Sequence, residues 1–256
     1  MTFARSVYAT GNLGAHKRPF AKAFGIASFK MLPVPMGPSP KSVKARRVLE
    51  RKNIYAKLCD DLAQQRFAIL DGFCGKERAL LMRKEVMALE AQGAFAKAKI
   101  GRGAQKKAMH EIRSDSICWL LPRALDDDFE KTPYIAQHFP RRLRTLKRCL
   151  SRRLFMSLSK IECMATLYLP GSFYRPHIDR FEGSHARVVS FVYFLNPDWV
   201  EKDGGALRLN LEEKPLILEP HLDRLVLFES EGLEHEVLKT RVERRALTGW
   251  FSVRAS

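Results

Sequence analysis

The second half of the chain breaks into short apolar or alternating runs at close spacing. They cover 163–169, 187–195, 205–211, 215–218, 224–228, 235–238 and 245–253. Turn formers punctuate them: Pro170-Gly171, Asn196-Pro197, Asp203-Gly204-Gly205 and Glu231-Gly232. None of these runs is long enough for a helix of ordinary length. Many short strands with turn signals between them define an all-β sandwich or barrel. The first half has a different period. Ile54, Leu58 and Leu62 recur every four residues, predicting a helix over 52–66. Phe67 to Leu70 followed by Asp71-Gly72 predicts a strand and a turn. Leu80, Leu81, Val86 and Leu89 predict a second helix over 76–89, stopped at Gln92-Gly93. Ile135, Phe139, Leu143, Leu146, Leu150 and Leu154 predict a third over 134–158, started or broken near Pro140. Between these lie an expected mobile loop at 95–111, a strand from Ile112 to Trp119 with an exposed start, and an acidic loop or helix start at Asp126 to Asp128. The fold class is therefore α+β. A double-stranded β-helix (jelly roll) at 161–254 is supported by helices within 51–160.

Within that β half, the stretch from Phe173 to Asp179 contains His177-Ile178-Asp179. On a strand, two-residue spacing places both side chains on one face. An imidazole and a carboxylate side by side suit a divalent metal. A third ligand, assigned to His235, completes the 2-His-1-carboxylate set that holds non-heme Fe(II) with open positions. A second pair, His221-Leu222-Asp223, lies only fourteen residues before His235, too close for that strand-to-strand layout. Arg244 and Arg245 follow His235, and alternation places them on opposite faces, so one of them enters any pocket. Arg187 and Arg241 are the weaker guanidinium candidates.

Charge and cysteine content narrow the class of protein. The formal charge is +17, but residues 1–49 hold nine Lys or Arg and no acid, leaving +8 for the rest. The excess is thus concentrated in a segment that is also rich in Ser, Gly and Pro. Residues 1–50 read as a transit-like leader or as a disordered tail, with a nucleic-acid-binding arm as a third reading. The five cysteines (59, 74, 118, 149, 163) form no C-x-x-C, which argues against a disulfide scaffold or zinc finger and for a reducing intracellular compartment. That compartment would be cytoplasmic, or an organelle reached through residues 1–49. No run approaches the roughly 20 apolar residues of a membrane span, so no membrane partner is expected.

Residues 67–253 resemble the Fe(II)/2-oxoglutarate oxygenases of the prolyl 4-hydroxylase type, within them the hypoxia-inducible-factor prolyl hydroxylases and their bacterial relatives. The matching stretches are ordered along the chain. They are Leu70 to Gly75, Ile112 to Trp119, Tyr168 to Gly171, Tyr174 to Asp179, Arg187 to Trp199, Asp203 to Leu207, Glu219 to Phe228, His235 to Val237 and Arg244 to Trp250. The resemblance implies Fe(II) on His177, Asp179 and His235, and 2-oxoglutarate with its distal carboxylate on Arg244, flanked by Tyr168 and Thr248. It implies O₂ as second co-substrate, L-ascorbate as a helper, and a proline-bearing protein or peptide gripped by a mobile loop carrying Arg113, Asp115 and Trp119. It also makes Asp223 structural. The chain departs from the family at Phe194, where a tyrosine commonly precedes Leu-Asn. Tyr168 also stands two residues from the strict position of the family's tyrosine. The expected activity is proline 4-hydroxylation with release of succinate and CO₂. The alternatives are a nucleic-acid oxygenase of the same chemistry and a non-enzymatic basic binding protein on a jelly-roll scaffold. Nothing in the sequence forms a base-stacking platform, which argues against a nucleic-acid partner.

Overall fold

The computed structural model describes residues 40–99, 110–120, 134–179 and 186–254. The chain divides into two compact units, 1–43 and 44–256. Of the first, the described residues are the opening turn of a helix, and the second carries everything that follows. In chain order the elements are α1 (Pro40–Gln65), β1 (Phe67–Asp71), α2 (Lys76–Ala91), β2 (Ala96–Lys97), β3 (Ser116–Trp119), α3 (Tyr134–Arg153) and β4 (Leu158–Tyr168). Then come β5 (Tyr174–His177), β6 (Arg187–Phe194), β7 (Leu207–Leu209), β8 (Leu216–Leu218), β9 (Arg224–Glu229), β10 (His235–Val237) and β11 (Arg244–Val253). No helix among the described residues is long and apolar enough to cross a membrane.

The strands form two antiparallel sheets. The larger has the order β1-β9-β6-β11-β4-β3-β2 and the smaller β5-β10-β7-β8. This is the expected α+β jelly roll with its helical support. The central strands β9, β6 and β11 of the larger sheet are buried on both faces, so they read as nearly continuous apolar runs. Along β6, Val189, Phe191 and Tyr193 pack with Leu58, Leu62, Met82, Phe139 and Leu143 of the helices. The intervening Val192 and Phe194 pack instead with Leu207, Leu209 and Leu218 of the smaller sheet. The same alternation along β11 sends Leu247 and Phe251 to the helices and Ala246 to the interior.

Several boundaries differ from expectation for identifiable reasons. Helix α1 begins at Pro40, twelve residues before the expected start, and buries Tyr55, Leu58, Cys59 and Leu62. Helix α3 runs through Pro140 because Ile135, Phe139, Leu143 and Leu146 are all buried along one stripe that holds both sides of the proline in place. It ends at Arg153, and the expected last turn instead leads into β4, which starts at Leu158, five residues early. The expected loop at 95–111 contains β2, whose Ala96 and Lys97 pair with Ile117 and Ser116. The rest of that loop over 100–109, the acidic Asp126 to Asp128 and the segment 1–39 lie outside the described residues.

Candidate metal and co-substrate site

The register of the smaller sheet builds the site. Antiparallel pairing of β10 with β5 places His235 directly opposite His177. Their rings lie 4.2 Å apart, centroid to centroid. Asp179 lies beyond the end of β5, in a bend, so strand alternation is not what aims it. The bend turns its carboxylate between the two imidazoles. Asp179 Oδ1 is 3.8 Å from His177 Nε2, and Oδ2 is 3.6 Å from His235 Nε2. Candidate ligand atoms of all three residues fall within 4.8 Å of one another. Metal–ligand bonds of about 2.0–2.2 Å put neighbouring ligand atoms about 3–4 Å apart, so one ion fits among them.

The hydrogen bonds around the three side chains fix which atoms face that point. His177 Nδ1 lies 2.8 Å from the Arg175 carbonyl and His235 Nδ1 lies 3.1 Å from the Leu233 carbonyl. A carbonyl only accepts, so each Nδ1 carries the proton and each Nε2 presents a lone pair inward. Ser190 donates its hydroxyl to Asp179 Oδ2 at 2.7 Å. Tyr174 stacks on His177 at 3.5 Å, Arg113 covers the other side of Tyr174 at 4.2 Å, and Phe228 packs on His235 at 4.5 Å. Burial, then the neighbouring His235, pushes the His177 pKa well below the ordinary imidazole value, keeping it neutral as a ligand must be. Burial alone would raise the Asp179 carboxyl, but the two imidazoles and the Ser190 hydroxyl bring it below the ordinary carboxylate value. The donor set therefore fits a ferrous ion.

A cavity of about 750 Å³ opens from these ligands between the two sheets. Arg244, 1% exposed, lines it; Nε donates to the Gly205 carbonyl at 2.7 Å. Tyr168 lies opposite Arg244 in the β4–β11 register, with the guanidinium 4.9 Å from its ring and 5.1 Å from that of Phe194. Thr248 lines the same cavity. The close approach of Gly205 is specific: its φ is +66°, and a Cβ there would sit 3.1 Å from Arg244 Cδ. Arg245 points the other way, as alternation requires, and is bound to Glu90 of α2 at 2.6 Å and to Glu243 at 2.8 Å.

The expected peptide-gripping residues fall into two groups. Arg113 and Trp119 line the cavity. Trp119 belongs to β3, paired with Met164, so it sits on the sheet rather than on a loop. Asp115 is 1% exposed and outside the cavity lining; both its oxygens are held by Arg113, at 2.8 and 2.6 Å. Its place is behind Arg113, fixing that guanidinium. Sequence reasoning missed Ser190 and Tyr174 as a stacking partner; Arg187, one of its weaker guanidinium candidates, lines the cavity and covers Trp250 at 3.4 Å. Ser190 had a legible signal: it is a polar residue inside the apolar run 188–194.

With fold and site in place, comparison with known proteins assigns the class. Residues 163–252 match the 2OG-Fe(II) oxygenase superfamily. A prolyl-4-hydroxylase structure from Pseudomonas putida shares 32% identity, covering 78% of this chain and 100% of that one, with a TM-score of 0.68. The chain belongs to the 2OG-Fe(II) oxygenase superfamily. A Trichoplax adhaerens prolyl hydroxylase, solved with a hypoxia-inducible-factor oxygen degradation domain peptide fragment, is 26% identical with a TM-score of 0.73, covering 80% of this chain and 92% of that one. The Caenorhabditis elegans hypoxia-inducible factor prolyl hydroxylase is 27% identical over 231 residues, or 82% of this chain. The chain spans 30% to 54% of the length of the curated relatives it matches.

Proposed function

We propose that this protein is an Fe(II)- and 2-oxoglutarate-dependent dioxygenase that hydroxylates a proline in a protein or peptide substrate. The observation that carries the reading is the convergence of His177, Asp179 and His235 at one end of a cavity whose lining includes the buried Arg244. The likeness to prolyl hydroxylases, which covers 78% to 82% of the chain, supports the choice of proline.

Each part of the chain has a task in this reading. His177 and His235 turn their Nε2 atoms toward the metal position because backbone carbonyls hold their Nδ1 protons. Asp179 adds a negative charge that Ser190 keeps ionised and oriented. Arg244 receives the distal carboxylate of 2-oxoglutarate; a guanidinium fork matches that group in two parallel hydrogen bonds, and burial strengthens the pair. Thr248 and Tyr168 flank it, while Phe194 contributes packing without a donor. The apolar walls, among them Leu207, Val192 and Phe228, exclude water from the reacting end. When bound, Fe(II) with 2-oxoglutarate and O₂ supplies the oxidation, with succinate and CO₂ as co-products. Ascorbate belongs to the same reading as the reductant that keeps iron ferrous. The five free cysteines suit a reducing compartment.

The test is a proline-containing peptide panel incubated with Fe(II), 2-oxoglutarate and air, followed by mass spectrometry and succinate assay. Gain of one oxygen on proline, dependent on 2-oxoglutarate and absent in His235→Ala, is the expected result. Oxygen insertion at another residue type, or into a nucleic acid in place of any peptide, would overturn the substrate assignment.

A further inference from the structure

Among the described residues lining the cavity, the cations are Lys97, Lys99, Arg113, Arg187 and Arg244, and the sole acid is Asp179. Asp179 belongs to the metal-ligand set. Three of the cations are committed: Arg244 beside Gly205 and Tyr168, Arg113 to Asp115, and Arg187 to Glu162 at 3.5 Å. Lys97 and Lys99 remain. They flank the buried Ala98, whose N–H is held by the Asp115 carbonyl at 3.0 Å, and both line the cavity. Both are exposed, Lys97 in β2 and Lys99 just beyond it, and β2 is the edge strand of the larger sheet among the described residues. Beside them the rim presents exposed apolar groups, Trp119 at 46% and Ile178 at 42%.

We infer that Lys97 and Lys99 select a peptide carrying an acidic side chain within a few residues of the acceptor proline. This rests on the proposed function and names its substrate class. An acidic group approaching this rim meets two uncommitted ammonium groups and no described carboxylate, whereas a basic group meets only repulsion. Trp119 and Ile178 supply apolar area for the neighbouring residues, and the lysines decide which flank is accepted. Rim charges act on encounter and on discrimination more than on total affinity, and they are screened by salt.

The test uses the full chain and three labelled peptides of one proline-centred sequence, flanked by Asp and Glu, by Asn and Gln, or by Lys and Arg. Binding is followed anaerobically by fluorescence anisotropy at low and high salt, and turnover by oxygen gain on proline. The acidic peptide should bind about three- to tenfold more tightly than its amide counterpart, the advantage shrinking at high salt. The Lys97→Glu/Lys99→Glu double variant should lose or reverse the preference, with Fe(II) stoichiometry reporting that it is folded. Equal binding of acidic and amide peptides, absence of binding by all three, or an unchanged preference in the double variant overturns the inference. Equal hydroxylation of acidic and amide peptides would do the same while leaving the proposed function intact. Tight binding of the acidic peptide with no oxygen gain on proline would instead overturn the proposed function.

Discussion

The chain contains the same tripeptide pattern twice, and the two copies do opposite work. His177-Ile178-Asp179 presents a carboxylate that accepts from the Ser190 hydroxyl and has two imidazole Nε2 atoms 3.6–3.8 Å away. At His221-Leu222-Asp223, Asp223 is buried and both its oxygens accept from protein donors. Oδ1 accepts from the Cys74 N–H and the Tyr193 hydroxyl, and Oδ2 from the Gly75 N–H, all at 2.7 Å. Asp223 therefore ties the turn before α2 to β6 and β9, with both oxygens already engaged by protein donors. Identical residue types at identical spacing thus become a ligand pair or a structural tie according to what the fold brings to the carboxylate. The decisive difference is His235, delivered by β10 pairing with β5.

Breaking each copy should give different phenotypes. The largest effect is expected for His177→Ala. Loss of one of three ligands should weaken Fe(II) binding beyond the roughly 10–100-fold that altering a ligand's hydrogen-bond partner costs, as read by anaerobic titration, with the melting temperature of the metal-free protein nearly unchanged. Arg244→Ala should weaken 2-oxoglutarate binding by about 30-fold or more, since truncating one partner of a buried charged pair costs about 2–5 kcal/mol; metal binding should persist.

Asp223→Asn attacks the other copy. It should cost about 1–3 kcal/mol of stability through buried donors left poorly matched, measured by denaturant unfolding, and leave one Fe(II) per folded chain. Asparagine tolerates the φ of +66° at this position, so the change isolates the hydrogen bonds. Phe194→Tyr sharpens the picture of the co-substrate end. One added neutral hydrogen bond is worth about 0.5–1.5 kcal/mol, so 2-oxoglutarate should bind about two- to tenfold more tightly by calorimetry; unchanged affinity would mean the phenol cannot reach the carboxylate.

The smallest effect concerns Asp71, the exposed partner of Arg224 across β1 and β9. The Arg224 hydrogen bonds hold its carboxyl below the ordinary carboxylate value. A depressed folded-state pKa contributes stability above the unfolded value and loses it as pH falls through the folded one. Asp71→Asn should therefore cost no more than about 1 kcal/mol near neutrality and nothing in strong acid.

How much was legible follows from where the information resides. The seven β runs, the convergence of the three candidate ligands and the opposite facing of Arg244 and Arg245 were readable because strand period and turn residues are local signals. The bend that aims Asp179 was not, since strand alternation gave the right neighbours for the wrong reason. The Arg113–Asp115 pair read as two peptide-gripping residues, yet only a folded chain shows that one neutralises and positions the other. Helix α3 crossed Pro140 because a buried stripe outweighs a local breaker, and short β2 was invisible because two residues carry no period.

The most direct test is Fe(II) stoichiometry and affinity, measured anaerobically with 2-oxoglutarate by the visible charge-transfer absorbance, on wild type, His177→Ala and Asp223→Asn. One ion per chain in wild type and Asp223→Asn, and none in His177→Ala at the same concentrations, is the predicted result. Full binding by His177→Ala, or its loss in folded Asp223→Asn, would contradict the assignment of the two copies.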